Sequence, residues 1–271
     1  MLFQRMTAFL ATLTLAFAAL APAVAAASFE LSATAKSNLA KLIAGADKTQ
    51  ASRLTKLNGD LQSLRKQDQS LDAKIKAIHY KNEEELVVLR KQIKEIDADK
   101  VNKLQQQVKQ AKGRYQPLFD SYTALNKQIA AARRLNNKTL NALLRTQADA
   151  MKIAVQAARQ DIRNKEQSLK NAKDQAAKKK KKMNDTLAGV HPVKVQLKAQ
   201  RSKVASTKKL VASAVKNANQ ATKGTAKNAA DSLSSLVAVS RQLVDQRQRN
   251  ADLEQKVSDI IAKAKTQLKT I

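Results

Sequence analysis

The chain has 271 residues and a formal charge of +29, from 51 Lys and Arg against 22 Asp and Glu. Cys and Trp are absent, and aromatics make up only 3 %, so disulfide stapling is excluded. With His79 and His191 as the only histidines, no metal or cofactor is expected, least of all a zinc site of the usual ligands. Ala, Lys, Gln, Leu and Asn dominate instead, the composition of long helices and coiled coils.

At the N-terminus, Arg5 precedes a run of apolar and small residues over 8–20. That run is short of the roughly 20 apolar residues a spanning helix needs. Ala23-Val24-Ala25 and Ala25-Ala26-Ala27 offer small-residue cleavage sites behind it. Residues 1–27 are therefore expected to be a signal peptide, and the protein to be secreted, periplasmic or cell-wall associated. Neither a lipoprotein cysteine nor an apolar C-terminal tail is present to serve as an anchor.

Beyond residue 28, apolar residues recur at alternating spacings of three and four, which predicts helices with a buried seam. The first seam runs Leu54, Leu57, Leu61, Leu64, Leu71, Ile75, Ile78, with Asp68 as a polar intruder. It skips to Leu86, continues through Leu89, Ile93 and Ile96, and skips again to Leu104. Both skips hold two spacings of four, so the supercoil should loosen at each. Asn82 before Glu83, Glu84 and Glu85 also resembles a helix start.

From Leu104 the register is regular through Ala132, passing Gly113 and Pro117, where either a turn or a kink is expected. The next seam, from Leu144 to Met183, is poor: four of its twelve positions are the small Ala148, Ala158, Ala172 and Ala176, and two are Lys165 and Lys179. Each Leu-to-Ala change gives up on the order of 2 kcal/mol of burial, so this seam needs a close neighbour or a third helix. Ala188-Gly189-Val190-His191-Pro192 reads as the clearest break, with Gly at a C′ position and Pro in a new first turn. The stretch 212–230, with Gly224 inside, is expected to be the weakest helix.

The expected fold is therefore all-α: an elongated antiparallel coiled coil, either a long helical hairpin or an up-down-up three-helix bundle. Its segments would be a first helix over 28–112, a middle helix over 113–188, a turn over 189–192 and a last helix over 193–271.

Charge is uneven along these segments. Residues 28–112 hold 17 basic and 11 acidic side chains, whereas 175–230 hold 14 basic residues and one acid, Asp185. A hairpin at 189–192 would bring Lys178, Lys179, Lys180, Lys181 and Lys182 beside Lys194, Lys198, Arg201 and Lys203. Five consecutive lysines sweep about 500° around a helix, so Lys179 or Lys182 must face the seam and snorkel. Such a basic tip suits anionic polymers (teichoic acid, lipopolysaccharide, extracellular DNA) or an anionic membrane surface. Sequence-specific nucleic-acid recognition is not expected, because no aromatics interleave the bases for stacking.

No nucleophile–base grouping, phosphate loop or metal-ligand spacing occurs, and a rod of Ala and Leu seams offers no catalytic cavity. The expectation is a non-enzymatic structural or interaction protein, with homo-oligomerisation through the seams open to it. The combination of signal peptide, basic charge and Lys/Gln/Ala-rich helices resembles the periplasmic Skp-type chaperones. That resemblance implies holdase activity on unfolded outer-membrane proteins. A third expectation, similar in logic to exchangeable apolipoproteins, is lipid-surface binding by amphipathic helices.

Overall fold

A computed structural model of the protein describes residues 29–270, so the expected signal peptide lies outside the described residues. The described chain is all-α, with six helices: α1 (Ala33–Gly45), α2 (Lys48–Glu95), α3 (Ala98–Arg134), α4 (Lys138–Ala188), α5 (Val190–Ala221) and α6 (Ala226–Lys269). None of the helices is long and apolar enough to cross a membrane, among the described residues.

Local chemistry explains where helices begin. Ser32 caps α1 by accepting from the Ala35 amide at 3.1 Å, and Asp47 caps α2 by accepting from the Gln50 amide at 2.9 Å. Asn136 stands at φ 51, and Asn137 then caps α4 by accepting from the Leu140 amide at 3.0 Å. Asn tolerates the left-handed region better than branched residues, so this Asn-Asn pair makes a tight reversal. Thr225 starts α6 through its hydroxyl, which accepts from the Asn228 amide at 3.2 Å.

The break expected over 189–192 is corrected, and at 113–117, where either a turn or a kink is expected, the chain does not turn. Gly113 and Pro117 lie inside α3, and Gly189 is right-handed helical at φ −58, ψ −19. A proline ring meets the carbonyl four residues earlier, which for Pro117 is Gly113, and the missing side chain there leaves room to bend. At Gly189 the amide bonds the Thr186 carbonyl at 3.3 Å, a tightened turn that leads directly into α5. Apolar packing continues on both sides, from Met183 to Val190 and from Ala111 to Leu125, so neither Gly–Pro pair turns the chain back. Helix ends occur instead at 45–47, 135–137 and 222–225, and α2 and α3 meet at Asp97, with φ 54, inside the second seam skip. The stretch 212–230 holds a turn between two helices.

The chain divides into two compact units. One comprises the described residues through 69 with 204–245; the other comprises 70–203 with the described part of 246–271. In the first, Leu54, Leu61 and Leu64 of α2 are buried with Val211 of α5 and Leu233, Leu236 and Leu243 of α6. Ser32 ties α1 to α5 through Asn219 at 3.0 Å, and Arg53 ties α2 to α6 through Asp231 at 2.9 Å.

In the second unit, the α2–α3 segment and the α4–α5 segment run antiparallel. Successive contacts pair Asn141 with Ile129, Lys112 with Glu166, Lys179 with Asp97 and Lys194 with Glu83. Each step forward on one partner is a step back on the other. The C-terminal half of α6 joins this pair to form a core of Leu86, Leu89 and Ile93 with Met183, Val190, Leu197, Val257 and Ile261. Toward the Asn136–Asn137 reversal, α3 and α4 pack as a two-stranded coil whose seam includes Ala111, Ala132, Ala148, Ala158, Ala172 and Ala176. The close neighbour that this alanine seam requires is α3, joined to it by a short loop.

Candidate functional site

One polar layer interrupts the three-helix core of the second unit. Glu254 of α6 is 1 % exposed and faces Asn82 of α2, itself fully buried rather than capping a helix. The Asn82 Nδ2 donates to the Glu254 backbone carbonyl at 2.9 Å and to its Oε2 at 3.1 Å. Arg201 Nη2 donates to Glu254 Oε1 at 2.9 Å, and His79 Nδ1 lies 3.0 Å from the same oxygen. Asn82 therefore fills the first seam skip with a side chain that recognises one carboxylate on a neighbouring helix. Deep burial closes Glu254 to any substrate, so the layer sets helix register.

Nearby, Asp72 accepts from Lys76 and from the almost buried Arg247. Burial pushes the Asp72 carboxyl up, but the hydrogen bonds and charges of Lys76 and Arg247 outweigh it and hold the group below its ordinary range. Glu83 behaves alike, its burial offset by Lys194 at 2.6 Å.

The nine basic residues expected to converge do not form one cluster. A helix advances 1.5 Å per residue, so Lys178 and Lys203, 25 positions apart, are separated by about 37 Å along the axis. They also point in different directions. Lys179 is half-buried and snorkels to Asp97 Oδ2 at 2.8 Å, while Lys180 donates to the Lys94 carbonyl at 2.8 Å. Lys181 reaches Asp185 within its own helix at 2.8 Å. Lys194 and Arg201 neutralise Glu83 and Glu254, and Lys198 is exposed.

Lys178, Lys182 and Lys203 take a different direction, into the groove between the α4–α5 segment and α6. The two helices are tied across it by Thr186 to Gln267 at 2.8 Å and by Gln200 to the Gln246 carbonyl at 3.3 Å. One stretch of this groove is lined by Lys178, Lys181, Lys182 and Lys263 over Gly189 and Ile260, where a β-carbon on Gly189 would lie 3.5 Å from Ile260. The next stretch is lined by Lys203, Arg249 and Lys256, with Leu253 and Gln200 in its floor. Arg249, Lys256 and Lys263 are seven residues apart, so they form one row along α6. Their spacing is readable in the sequence; that α6 faces the lysine run is not.

Two carboxylates also line the groove, and both are engaged: Asp185 by Lys181 and Asp252 by Gln248 at 2.8 Å. Among the described residues, Lys178, Lys182, Lys203, Arg249, Lys256 and Lys263 take part in no ion pair. The groove therefore presents two facing rows of uncompensated cations over about 21 Å, the length of the 249–263 row on a helix. Such a surface can hold a linear polyanion by charge, without base or sugar recognition. No group of three His, Cys, Asp or Glu suited to a metal ion occurs among the described residues. No family model, curated protein or solved structure matches this chain.

Proposed function

We propose that the protein is an exported, non-enzymatic helical interaction protein whose α4–α5/α6 groove holds anionic cell-envelope polymers. Teichoic acid, lipopolysaccharide and extracellular DNA share the required chemistry, several closely spaced phosphates on one molecule. The observation that carries this reading is the row Arg249, Lys256 and Lys263 facing Lys178, Lys182 and Lys203, six cations with no carboxylate partner among the described residues. Export is supported by the apolar run over 8–20 and the small-residue sites behind it.

The test is binding of lipoteichoic acid, lipopolysaccharide and duplex DNA across a series of salt concentrations. For DNA, each phosphate contact releases counterions and adds about 0.9 to the slope of log affinity against log salt. Changing Lys178, Lys182, Lys256 and Lys263 to Gln is expected to cut that slope by about 3.6 and to weaken all three polymers together. A variant that keeps the wild-type slope would remove the groove from the mechanism. Protection of an unfolded client from aggregation, with no polymer bound at low salt, would replace this reading with the chaperone alternative.

A further inference from the structure

The turn between α3 and α4 ends a two-stranded coil, and there exposed leucines stand among cations, whereas exposed Tyr80, Val87 and Val88 of the same unit stand beside Glu83, Glu84 and Glu85. Leu135 is 77 % exposed, the highest value among the exposed large hydrophobics, and Leu140 and Leu143 beside it are 41 % and 58 % exposed. Three bulky apolar side chains thus stand in solvent within nine residues of chain, where isolated exposed leucines would need no explanation. Leu140 and Leu143 are three positions apart and share one helix face. Arg133, Arg134 and Lys138 flank them, all exposed, and the sequence holds no acid between Asp120 and Asp149.

The backbone holds this arrangement in place. Asn137 caps α4, and Asn141 Nδ2 donates to the Ile129 carbonyl at 3.1 Å, tying the two strands together just behind the leucines. An ordered, convex, apolar end with a cationic collar does not match a groove or a shaped protein pocket. It matches a deformable surface that is apolar within and anionic at its boundary.

The geometry points to the α3–α4 turn as a membrane-docking tip that places Leu135, Leu140 and Leu143 into the headgroup–acyl boundary of an anionic bilayer. Arg133, Arg134 and Lys138 contact the lipid phosphates, each strengthening partition about fivefold near such a surface. This is independent of polymer binding in the groove, because no residue is shared between the two.

The chain contains no Trp, so Leu135→Trp supplies a single reporter. With phosphatidylcholine vesicles containing one quarter phosphatidylglycerol, its emission is expected to shift to the blue and to be quenched by brominated acyl chains. With pure phosphatidylcholine it stays unshifted. In the otherwise wild-type chain, Leu135→Asp with Leu143→Asp is expected to lower partition onto the anionic vesicles by about tenfold or more. Circular dichroism on the same samples checks that helix content is unchanged, as both sites are exposed. The proposal is overturned if the reporter never shifts, if the Asp variant partitions like wild type, or if binding is lost only when the groove lysines are changed.

Discussion

The three-helix core around Leu89 and the two-helix coil of α3 and α4 belong to one unit yet are built on opposite principles. The first packs Leu86, Leu89, Ile93, Met183 and Ile261 from three helices and specifies their alignment with a single buried carboxylate, Glu254. The second has small residues at Ala111, Ala148, Ala158 and Ala172 and, among the described residues, pairs only α3 with α4. Bulk stabilises where three surfaces can enclose it. Where only two helices meet, short side chains let them approach closely, and surface ion pairs such as Lys112–Glu166 at 2.6 Å and Arg114–Asp161 at 3.3 Å align them. Such exposed pairs are individually weak, so the coil depends on its seam.

The largest effect should come from the bulky core. Leu89 is fully buried, and Leu89→Ala should cost about 3–4 kcal/mol in urea unfolding through lost burial and the cavity left behind. A cost under about 1 kcal/mol would mean that the three helices are not in contact there. Next in size, Glu254→Ala should cost about 2 kcal/mol, because the buried Asn82 amide keeps only the backbone carbonyl of residue 254 and the carboxylate's hydrogen bonds to Asn82 and Arg201 are lost. The two-helix coil responds to the opposite change. Ala158→Leu should destabilise by about 2 kcal/mol, since the added bulk forces α3 and α4 apart. Stabilisation by the same change would show the seam to be loose rather than close.

The smallest effect separates the two regions by acid. Asp161 in the coil is held below its ordinary 3.8 chiefly by the hydrogen bond from Lys165. In Asp72 burial raises the value, but Lys76 and Arg247 bring it below 3.8. Both groups therefore bind protons less readily folded than unfolded. Their contribution is present above about pH 4 and is lost as pH falls through the folded values. Asp72→Asn should flatten the acid limb of the stability curve more than Asp161→Asn, because Asp72 pairs with the buried Arg247 whereas Arg114 and Lys165 beside Asp161 are reached by solvent.

The seams are legible in the sequence because periodicity reports burial directly. Leu54, Leu61, Leu64, Leu86, Leu89 and Ile93 all sit in cores, and the thin alanine seam announces its need for a close neighbour. The reversals are not legible, because Gly and Pro punctuate a sequence more loudly than Asn does. A helix whose seam continues past Gly113–Pro117 or Gly189–Pro192 gains more from unbroken packing than it loses in one hydrogen bond, so it bends. Asn136 and Asn137 turn the chain because one accepts a left-handed backbone and the other caps α4. Of the site, the lysine run is visible in the sequence but its partners are not. Arg201 reads there as a free cation, and only the fold sets Glu254 beside it. The α6 row of Arg249, Lys256 and Lys263 likewise needs a helix pairing to acquire meaning.

The passage of the helix through Gly189 carries all of this, and it can be measured as a distance. The chain lacks cysteine, so Lys178→Cys with Lys203→Cys takes two spin labels and no others. Pulsed electron–electron resonance should return a separation near 37 Å, about that of 25 residues of continuous helix. A value near 10 Å, roughly the spacing of two packed helices, would restore the hairpin at 189–192 and contradict the fold and the groove together.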